Sequence, residues 1–479
     1  MGEKLGELEP QKVFEYFEKI TKIPRGSHNE KAISDYLVKF ADKRGLIAYQ
    51  DEYNNVTILK PATTGMEDKE TVILQAHMDM VVVSDDAAFD PAKDPIDVYI
   101  DGDKIRAKGT SLGADDGIGM AFILAILASD DISHPMIEAV FTACEEEGLI
   151  GADGYDASRI KGKRFINIDT EEENTIVIGC AGGCRCDISS KCKNGKEEGN
   201  IYEIAISGLC GGHSGMEIDK GRANANVLMG RLLDMAIGSV EFKLGSYDGG
   251  TKDNAICSSA VATVVVKKKQ GKTFEKLVKS FADFVCSEYL ATDPDMKIKC
   301  KDKGKGKLEV ISTKDLIRFA SLLKLLPDGV FRFDQTTGTV ETSANLGVAN
   351  VRPKGFSVCV SLRSNRDFTL EWMISKVRSI AGLCGVSFEC RGRYPAWECE
   401  SPSDFALCAE ALYKKMFGSD IEIVKIHAGL ECAVFSKKIK GMDAISIGPD
   451  MEGVHSTSES LSISSTKREW EFLLELLKL

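Results

Sequence analysis

Three apolar runs in this sequence end in a histidine or in carboxylates, and this pattern constrains the fold more than any other feature. Residues 71–76, 138–143 and 164–168 have the β-branched and apolar content of buried strands. Helical patterns occur along the same stretch, and strands that alternate with helices predict an α/β sheet covered on both faces. Such sheets bind ligands at the carboxyl ends of their strands. We therefore expect the polar groups that follow these runs to meet at one edge.

The first run is followed directly by His77, and Asp79 stands two positions later. In an extended chain, residues i and i+2 point to the same side, so both can face one site. An imidazole there can bind a metal through one ring nitrogen while a nearby carboxylate accepts the other N–H. The pair is also compatible with a surface histidine beside a turn, so the rest of the chain decides.

The acidic residues supply the further evidence. Asp115 lies in a loop before a helical pattern, Glu146 follows the second run, and Asp169 follows the third. Carboxylates gathered at one edge would repel one another unless cations lie between them. Together with His77 they are the ligand types suited to zinc, manganese or cobalt. His455, in a glycine-rich loop after another apolar run, is the best candidate for a further imidazole.

The chain is 479 residues long, which is more than one hydrophobic core usually supports. Beyond the first run of strands the pattern changes to that of an α+β domain, and closer to the C-terminus the α/β pattern returns. We predict a catalytic domain formed by residues 1–192 and 396–479, interrupted by an inserted domain at residues 193–395. Asp169 and His455 are expected to meet across this insertion. The inserted domain would then lie beside the cleft and could close over it.

Charge and composition argue against several classes of protein. A formal net charge of −12 disfavours a nucleic-acid partner, because phosphate binding needs basic faces. No apolar run reaches the length of a membrane span, and the charged first residues lack the apolar stretch of a secretory signal. The 15 cysteines are an odd number scattered through apparent strands and helices, which fits reduced thiols better than a disulfide framework. We therefore expect a cytoplasmic protein.

Two local patterns carry weaker signals. Ser27 and Glu30 match a capping box at the start of a helix. A structural zinc site was considered for four cysteines: Cys180, Cys184, Cys186 and Cys192. Their spacing does not match the usual paired C-x-x-C knuckles, so we interpret them as ordinary thiols.

Several longer motifs resemble a known family. They are His-Met-Asp from residue 77, Leu-Gly-Ala-Asp-Asp-Gly-Ile-Gly-Met from 112, Glu-Glu-Glu-Gly from 145, Ile-Asn-Ile-Asp-Thr-Glu-Glu-Glu from 166, Gly-Gly-His-Ser-Gly from 211, His-Ala-Gly-Leu-Glu-Cys from 427 and Gly-Val-His-Ser from 453. In this order they are similar to the aminoacyl-histidine dipeptidases. These are the cytosolic non-specific dipeptidases of the co-catalytic metallopeptidase clan, which also contains glutamate carboxypeptidase and the aminoacylases. The resemblance covers nearly the whole chain.

The resemblance implies both a fold and an activity. The fold would be an α/β, phosphorylase/hydrolase-like catalytic domain with a central mixed sheet flanked by helices, plus an inserted α+β lid domain. The activity would be a metallo-dipeptidase that hydrolyses unblocked dipeptides, of the Xaa-His type and more broadly. Its small dipeptide substrates are the expected partners.

The resemblance also implies a role for each residue of the cluster. Two divalent ions would share the carboxylate of Asp115, with zinc as the expected metal and manganese or cobalt as alternatives. The remaining ligands would be His77 and Asp169 for one ion, and Glu146 and His455 for the other. Glu145 would be the general base, and Asp79 would orient the imidazole of His77.

One ambiguity of register lies in the three consecutive glutamates. The position of Gly148 favours Glu145 as the base and Glu146 as the ligand. A shift by one residue would make Glu146 the base and Glu147 the ligand. By the same resemblance, many members of the clan have a lysine two positions after the bridging aspartate. This chain has Gly117 there, as the dipeptidases do.

Five further residues are expected to contact the substrate. By resemblance, His213 polarises the scissile carbonyl group and Asn254 contacts the substrate. Arg363, at the end of a predicted strand, could bind a substrate carboxylate through two hydrogen bonds. Gly429 and Glu431 are expected to line the pocket for the amino end of the substrate, where Glu431 would pair with a free ammonium group.

Three other functions would use parts of the same pattern. The function most similar to that of a dipeptidase is that of an N-acyl amino acid deacylase of the same clan. A metallophosphoesterase also uses two metals, but the scarcity of basic residues around the ligands counts against it. A non-catalytic binding protein on the same fold would lack a ligand or the base, and every one is present. The resemblance leaves two assemblies open for this chain, a homodimer built through the inserted domain and a monomer in which that domain is enlarged.

Overall fold

The computed structural model describes residues 5–335 and 337–479, which form two compact units. The first unit contains the chain up to Cys180 together with Trp397–Leu479, and the second unit is Ala181–Ala396. The predicted boundary after residue 192 is wrong, because the strand Gly182–Lys191 pairs with Gly355–Ser364 in the sheet of the second unit. The return to the first unit lies one residue beyond the predicted position.

Within the described residues, an eight-stranded mixed sheet forms the centre of the first unit. Its strands lie in the order Ile47–Gln50, Val56–Lys60, Ile137–Thr142, Val72–His77, Arg164–Asn167, Asp443–Ser446, Thr175–Cys180 and Glu422–Ile426. The third to sixth strands of this order run parallel to one another. A smaller antiparallel sheet is formed by Met451–Glu452, Ser460–Ser462, Lys104–Ala107 and Val98–Asp101.

Helices cover this central sheet. They are Gln11–Ile20, Lys31–Asp42, Ala114–Leu127, Ile150–Gly154, Asp404–Phe417, Cys432–Lys438 and Ile463–Leu476. The strands Val72–His77 and Ile137–Thr142 are buried along their whole length, as in a sheet covered on two sides. Ala114–Leu127 is apolar and entirely buried, and it packs against Gln11–Ile20 and Val72–His77. The predicted α/β catalytic domain is confirmed.

The second unit has α+β architecture. Its antiparallel sheet contains, in order, Lys297–Ile311, Asn194–Ser207, Ala260–Val266, Phe242–Gly249, Val340–Arg352, Gly355–Ser364, Gly182–Lys191 and Ser387–Tyr394, with Gly329–Phe333 paired to Val340–Arg352. Its helices are Ala225–Ile237, Gly271–Glu288, Thr313–Leu325 and Asp367–Cys384. The unit has its own hydrophobic core, formed between the sheet and these helices. Short 3₁₀ helices complete the two units at Leu5–Glu7, Ala157–Arg159 and Ile218–Lys220.

The predicted capping box is wrong. The helix begins at Lys31. The Ser27 hydroxyl does not cap this helix and instead donates to the Asp79 carboxylate at 2.8 Å. The Glu30 carboxylate accepts from the amides of His28 and Cys144. These side chains therefore make tertiary bonds that a local pattern does not reveal. None of the helices in the described ranges combines the length and the apolar character needed to cross a membrane.

Candidate metal centre

The polar clusters meet at one edge of the central sheet. The parallel strands Ile137–Thr142, Val72–His77, Arg164–Asn167 and Asp443–Ser446 are neighbours, so their carboxyl ends lie side by side. The candidate residues stand at or just beyond these ends, as an open α/β sheet requires of a ligand site.

Asp115 lies at the centre of the cluster. Its Oδ1 is 2.9 Å from Nε2 of His77, and its Oδ2 is 3.1 Å from Nε2 of His455. Nε2 of His77 is also 3.4 Å from Oδ1 of Asp169, and Nε2 of His455 is 2.7 Å from Oε1 of Glu146. The carboxylate thus presents one oxygen to each of two imidazoles, and each imidazole faces a second carboxylate.

Two groups of side chains therefore have the spacing of metal ligands. One contains His77, Asp115 and Asp169, and the other contains Asp115, Glu146 and His455, with the ligand atoms of each group within 4.8 Å of one another. Asp115 belongs to both groups. The donor set of imidazole and carboxylate suits zinc, manganese or cobalt.

The exposure of the three consecutive glutamates indicates which two of them face the site. Glu145 and Glu146 are half-buried and form a third group of this spacing with His77, whereas Glu147 is exposed. Among the described residues, Glu147 belongs to none of the groups with ligand spacing. This arrangement favours the register in which Glu145 and Glu146 face the site.

The hydrogen bonds of His77 fix the tautomer of its ring. Nδ1 lies 3.1 Å from the main-chain oxygen of Asp79, which can only accept, so Nδ1 carries the proton. In the neutral ring, which metal binding requires, Nε2 presents its lone pair to the site. The Asp79 carboxylate lies further from Nδ1, at 3.5 Å, and accepts from the amides of Glu145 and Glu146 at 2.9 and 3.3 Å. Asp79 therefore holds the Glu145–Glu146 turn as well as the imidazole.

The carboxylates of the site are buried close to one another, and this changes their pKa values. Burial raises the pKa of Glu145 well above its usual range, and it also raises the pKa of Glu146. Burial raises the pKa of Asp169 to about 7. Although burial opposes it, hydrogen bonds from the imidazoles hold the pKa of Asp115 below its usual range. Clustered carboxylates of this kind are stabilised by protons or by cations.

The pKa values of the two histidines are raised as well. Burial lowers the pKa of His77, but the carboxylates around it, Asp169 first, outweigh burial and raise it well above its ordinary value. Burial likewise lowers the pKa of His455, and hydrogen bonds with Asp115 and Glu146 raise it to about 11. The imidazoles are the groups that would give up protons to an arriving cation.

Glu431 is buried beside the strand ends. Its Oε2 accepts from Nε2 of Gln75 and from the hydroxyl of Thr142. Its Oε1 is buried and has no hydrogen-bond partner among the described residues. Burial raises the pKa of Glu431 to about 8. Gly429 lies in the loop between the strand Glu422–Ile426 and the next helix.

The second unit brings two of its three predicted residues together. The amide of Ser214 donates to the main-chain oxygen of Asn254 at 2.9 Å, which joins the loop of His213 to that of Asn254. Nδ1 of His213 accepts from the amide of Met216 at 3.1 Å, so the ring proton is on Nε2. Arg363 lies in the strand Gly355–Ser364, and its Nη1 donates to the hydroxyl of Tyr394 at 3.1 Å.

Comparison with known proteins identifies the family. The sequence model of peptidase family M20/M25/M40 matches residues 73–479, which include every candidate metal ligand. The chain belongs to peptidase family M20/M25/M40. It is therefore a peptide hydrolase, as the sequence predicted.

Relatives cover the whole length of this peptidase. The cytosol non-specific dipeptidase of Escherichia coli (strain K12) is 36% identical over 481 residues, which span 99% of each chain. The crystal structure of aminoacylhistidine dipeptidase from Vibrio alginolyticus is 35% identical, with a TM-score of 0.85 over 99% of this chain and 98% of that one. Aminopeptidase PepT from Bacillus cereus shares the fold, with a TM-score of 0.56 and 16% identity over 99% of each chain.

Sequence reasoning missed three residues that build the centre of this peptidase. Ser27 was assigned to a helix cap, and it binds the Asp79 carboxylate instead. Arg25 and Glu459 were not considered, although both are buried and hydrogen-bonded to main-chain atoms beside the ligands. Such bonds run to atoms that every residue has, so the sequence carries no signal for them.

The cysteines considered for zinc do not form one cluster with each other. Cys184 and Cys186 instead lie within 4.8 Å of Cys390, whose strand pairs with theirs. A hydrogen bond with Cys186 and burial raise the pKa of Cys184, and burial raises that of Cys390 to about 11. Thiols of such pKa are protonated at neutral pH and pack as small apolar groups.

Proposed function

We propose that this chain is a two-metal dipeptidase that hydrolyses unblocked dipeptides, including those of the Xaa-His type. The observation that carries the proposal is the Asp115 carboxylate, which presents one oxygen to His77 and the other to His455. Full-length similarity to two proteins named as dipeptidases supports the same substrate class. The name of the Escherichia coli relative also supports a cytoplasmic location.

The residues present fit a pair of divalent ions. Asp115 would bridge them, with His77 and Asp169 holding one ion and Glu146 and His455 the other, and zinc fits this donor set with manganese or cobalt as alternatives. When bound, such ions lower the pKa of water toward neutrality and stabilise negative charge on oxygen.

The proposed proton carrier is Glu145. Burial raises the pKa of its carboxyl group toward the working range of a general base. Its amide is held by the Asp79 carboxylate, which fixes the turn from which the side chain faces the site. We assign Glu145 to accept a proton from the attacking water and to deliver it to the leaving amine.

Glu431 offers a recognition point for the amino end of a dipeptide. An ammonium group beside Glu431 would favour the carboxylate form and would give its buried Oε1 a donor. An acylated amine carries no charge and could not make this ion pair. This oxygen therefore favours a dipeptidase over an N-acyl amino acid deacylase. Gly429 precedes Glu431 by two residues and would leave room for the same end of the substrate.

The second unit would bind the remainder of the substrate. The proton on Nε2 makes His213 a donor suited to polarising a carbonyl oxygen. Asn254, held in the adjoining loop, would contact the substrate beside it. Arg363 would bind the free carboxylate through its guanidinium group. We propose on these grounds that this unit serves as the lid and substrate-binding domain.

A substrate panel tests the proposal. The protein loaded with zinc, manganese or cobalt is assayed with β-Ala-His, Gly-Gly and N-acetyl amino acids in parallel. The expected result is hydrolysis of the two dipeptides and none of the acetylated compounds. Preference for the acetylated compounds would identify a deacylase instead, and inactivity on the whole panel with metal bound would support a binding protein.

A further inference from the structure

Two buried side chains of opposite charge hold the loop that leads to Asp115. Arg25 and Glu459 are only 2% and 3% exposed. Within the described residues, neither belongs to a group with the spacing of metal ligands. Burying two charges is costly unless each is paired or fully hydrogen-bonded, so their contacts indicate what they do.

Glu459 binds three consecutive amides. Its carboxylate accepts from Leu112 at 2.7 Å, from Gly113 at 3.1 Å and from Ala114 at 2.8 Å. Leu112 and Gly113 precede the helix Ala114–Leu127 and Ala114 is its first residue, so their amides have no main-chain acceptor within the helix. Glu459 thereby fixes the backbone immediately before Asp115.

Arg25 binds the carbonyl groups of two loops. Its Nη1 donates to the main-chain oxygens of Met78 and Asp79 at 2.8 and 2.9 Å, and its Nη2 donates to that of Gly113. The guanidinium group therefore joins the segment that follows His77 to the loop that precedes Asp115. The planar fork of an arginine can hold several carbonyls at fixed angles, which the point charge of a lysine cannot.

Two glycines leave the space that Arg25 occupies. A Cβ at Gly113 would lie 2.7 Å from Nη2 of Arg25, and one at Gly117 would lie 2.5 Å from the same atom. Gly113 also has a φ of +70°, which favours glycine. A side chain at Gly117 would therefore collide with the guanidinium group of Arg25.

We propose that Arg25 and Glu459 are positioning residues that hold Asp115 between the two imidazoles. Arg25 binds a carbonyl group of the loop before Asp115, and Glu459 binds three amides of the same loop. Main-chain acceptors and donors of the loop are therefore both held. The inference rests on the proposed two-metal function. Partners of this kind orient ligands, and their loss typically costs about 10- to 100-fold in metal affinity.

The test uses Arg25→Lys and Glu459→Gln in the full-length protein. Metal affinity is measured by competition with a chelator, and the visible absorption spectrum of the cobalt-loaded protein reports the ligand geometry. Glutamine offers one acceptor oxygen in place of two, and its NH₂ group faces an amide N–H. The expected result for both variants is about 10- to 100-fold weaker metal binding with an altered cobalt spectrum.

An ion pair of the second unit provides the control. Nη1 of Arg318 donates to the carboxylate of Asp315 at 3.0 Å and its Nε donates to the main-chain oxygen of Cys384 at 2.8 Å, in a unit that supplies none of the candidate metal ligands. Arg318→Lys and Asp315→Asn should lower the melting temperature and leave metal affinity and cobalt spectrum unchanged. The inference is overturned if Arg25→Lys and Glu459→Gln behave as these controls do.

Failure of the inference and failure of the proposed function have different signatures. If Glu459→Gln does not fold, Arg25→Lys and Glu459→Asp carry the test. A wild-type protein that hydrolyses dipeptides while both variants keep their metal affinity contradicts the positioning role alone. A wild-type protein that binds metal, loses affinity in the variants and hydrolyses no dipeptide contradicts the proposed function alone.

Discussion

At the scale of single residues, the candidate ligands could be predicted from the sequence and the side chains that support them could not. Imidazole and carboxylates are the ligand types that a divalent metal needs, so His77, Asp115 and Asp169 stand out in the sequence as candidates. Arg25 and Glu459 act through main-chain atoms, and nothing in a sequence marks which carbonyls or amides a side chain will bind. The tautomer of His77 likewise depends on a main-chain oxygen that becomes its neighbour on folding.

Replacing Glu145 separates catalysis from metal binding. We expect Glu145→Ala to retain both ions and to lose about 10²- to 10⁴-fold in kcat, because a general base contributes on that scale. Metal content by elemental analysis and kcat on β-Ala-His are the two measurements. Glu147→Ala is the matched control, since this neighbour is exposed, and it should be nearly as active as the wild type. Loss of metal in Glu145→Ala would shift the assignment of base and ligand.

Metal binding should depend on pH. In the metal-free protein, burial lowers the pKa of His455 but its carboxylate partners raise it to about 11, so the ring is protonated at neutral pH. An arriving ion must displace that proton, and metal affinity should therefore rise with pH. Titration calorimetry in buffers of different ionisation enthalpy measures the protons released. Binding without proton release near neutral pH would contradict the role of His455 as a ligand.

At the scale of elements, the helix before the site shows where local patterns stop. The sequence predicts that Asp115 lies in a loop before a helix, and within the range Ala114–Leu127 regular helical backbone begins only after Asp116. Asp115 and Asp116 lie inside this range with non-helical backbone angles. This break turns the Asp115 carboxylate toward the site, and it is held by tertiary contacts rather than by local propensity. The buried strands were easier to predict because their apolar character is continuous.

Glycine substitutions test the packing of this helix. Gly117→Ala would place a Cβ 2.5 Å from Arg25 and 3.2 Å from the ring of Phe17, so we expect a loss of roughly 1–3 kcal/mol in the free energy of unfolding. Gly382→Ala is the control, because this helical position has no atom within 4 Å of the added Cβ. It should gain up to about 1 kcal/mol. Urea denaturation measures both, and an unchanged Gly117→Ala would refute the proposed packing.

At the scale of the whole molecule, the chain is a peptidase built from two units with separate cores. The insertion was predictable because strand patterning changes from the α/β to the α+β type. Its first boundary was not, because only one residue separates the strand Gly182–Lys191 from the α/β strand Thr175–Cys180, so no linker marks the boundary. The register of that strand with Gly355–Ser364 is a long-range pairing, which a local pattern does not contain.

The central claim is that Asp115 is shared by two metal ions. The most direct measurement is a crystal structure of the zinc-loaded protein, with anomalous differences recorded at the zinc absorption edge. We predict two anomalous peaks, one coordinated by Oδ1 of Asp115 with His77 and the other by Oδ2 with His455. A single zinc ion, or two ions that do not share Asp115, would contradict the account.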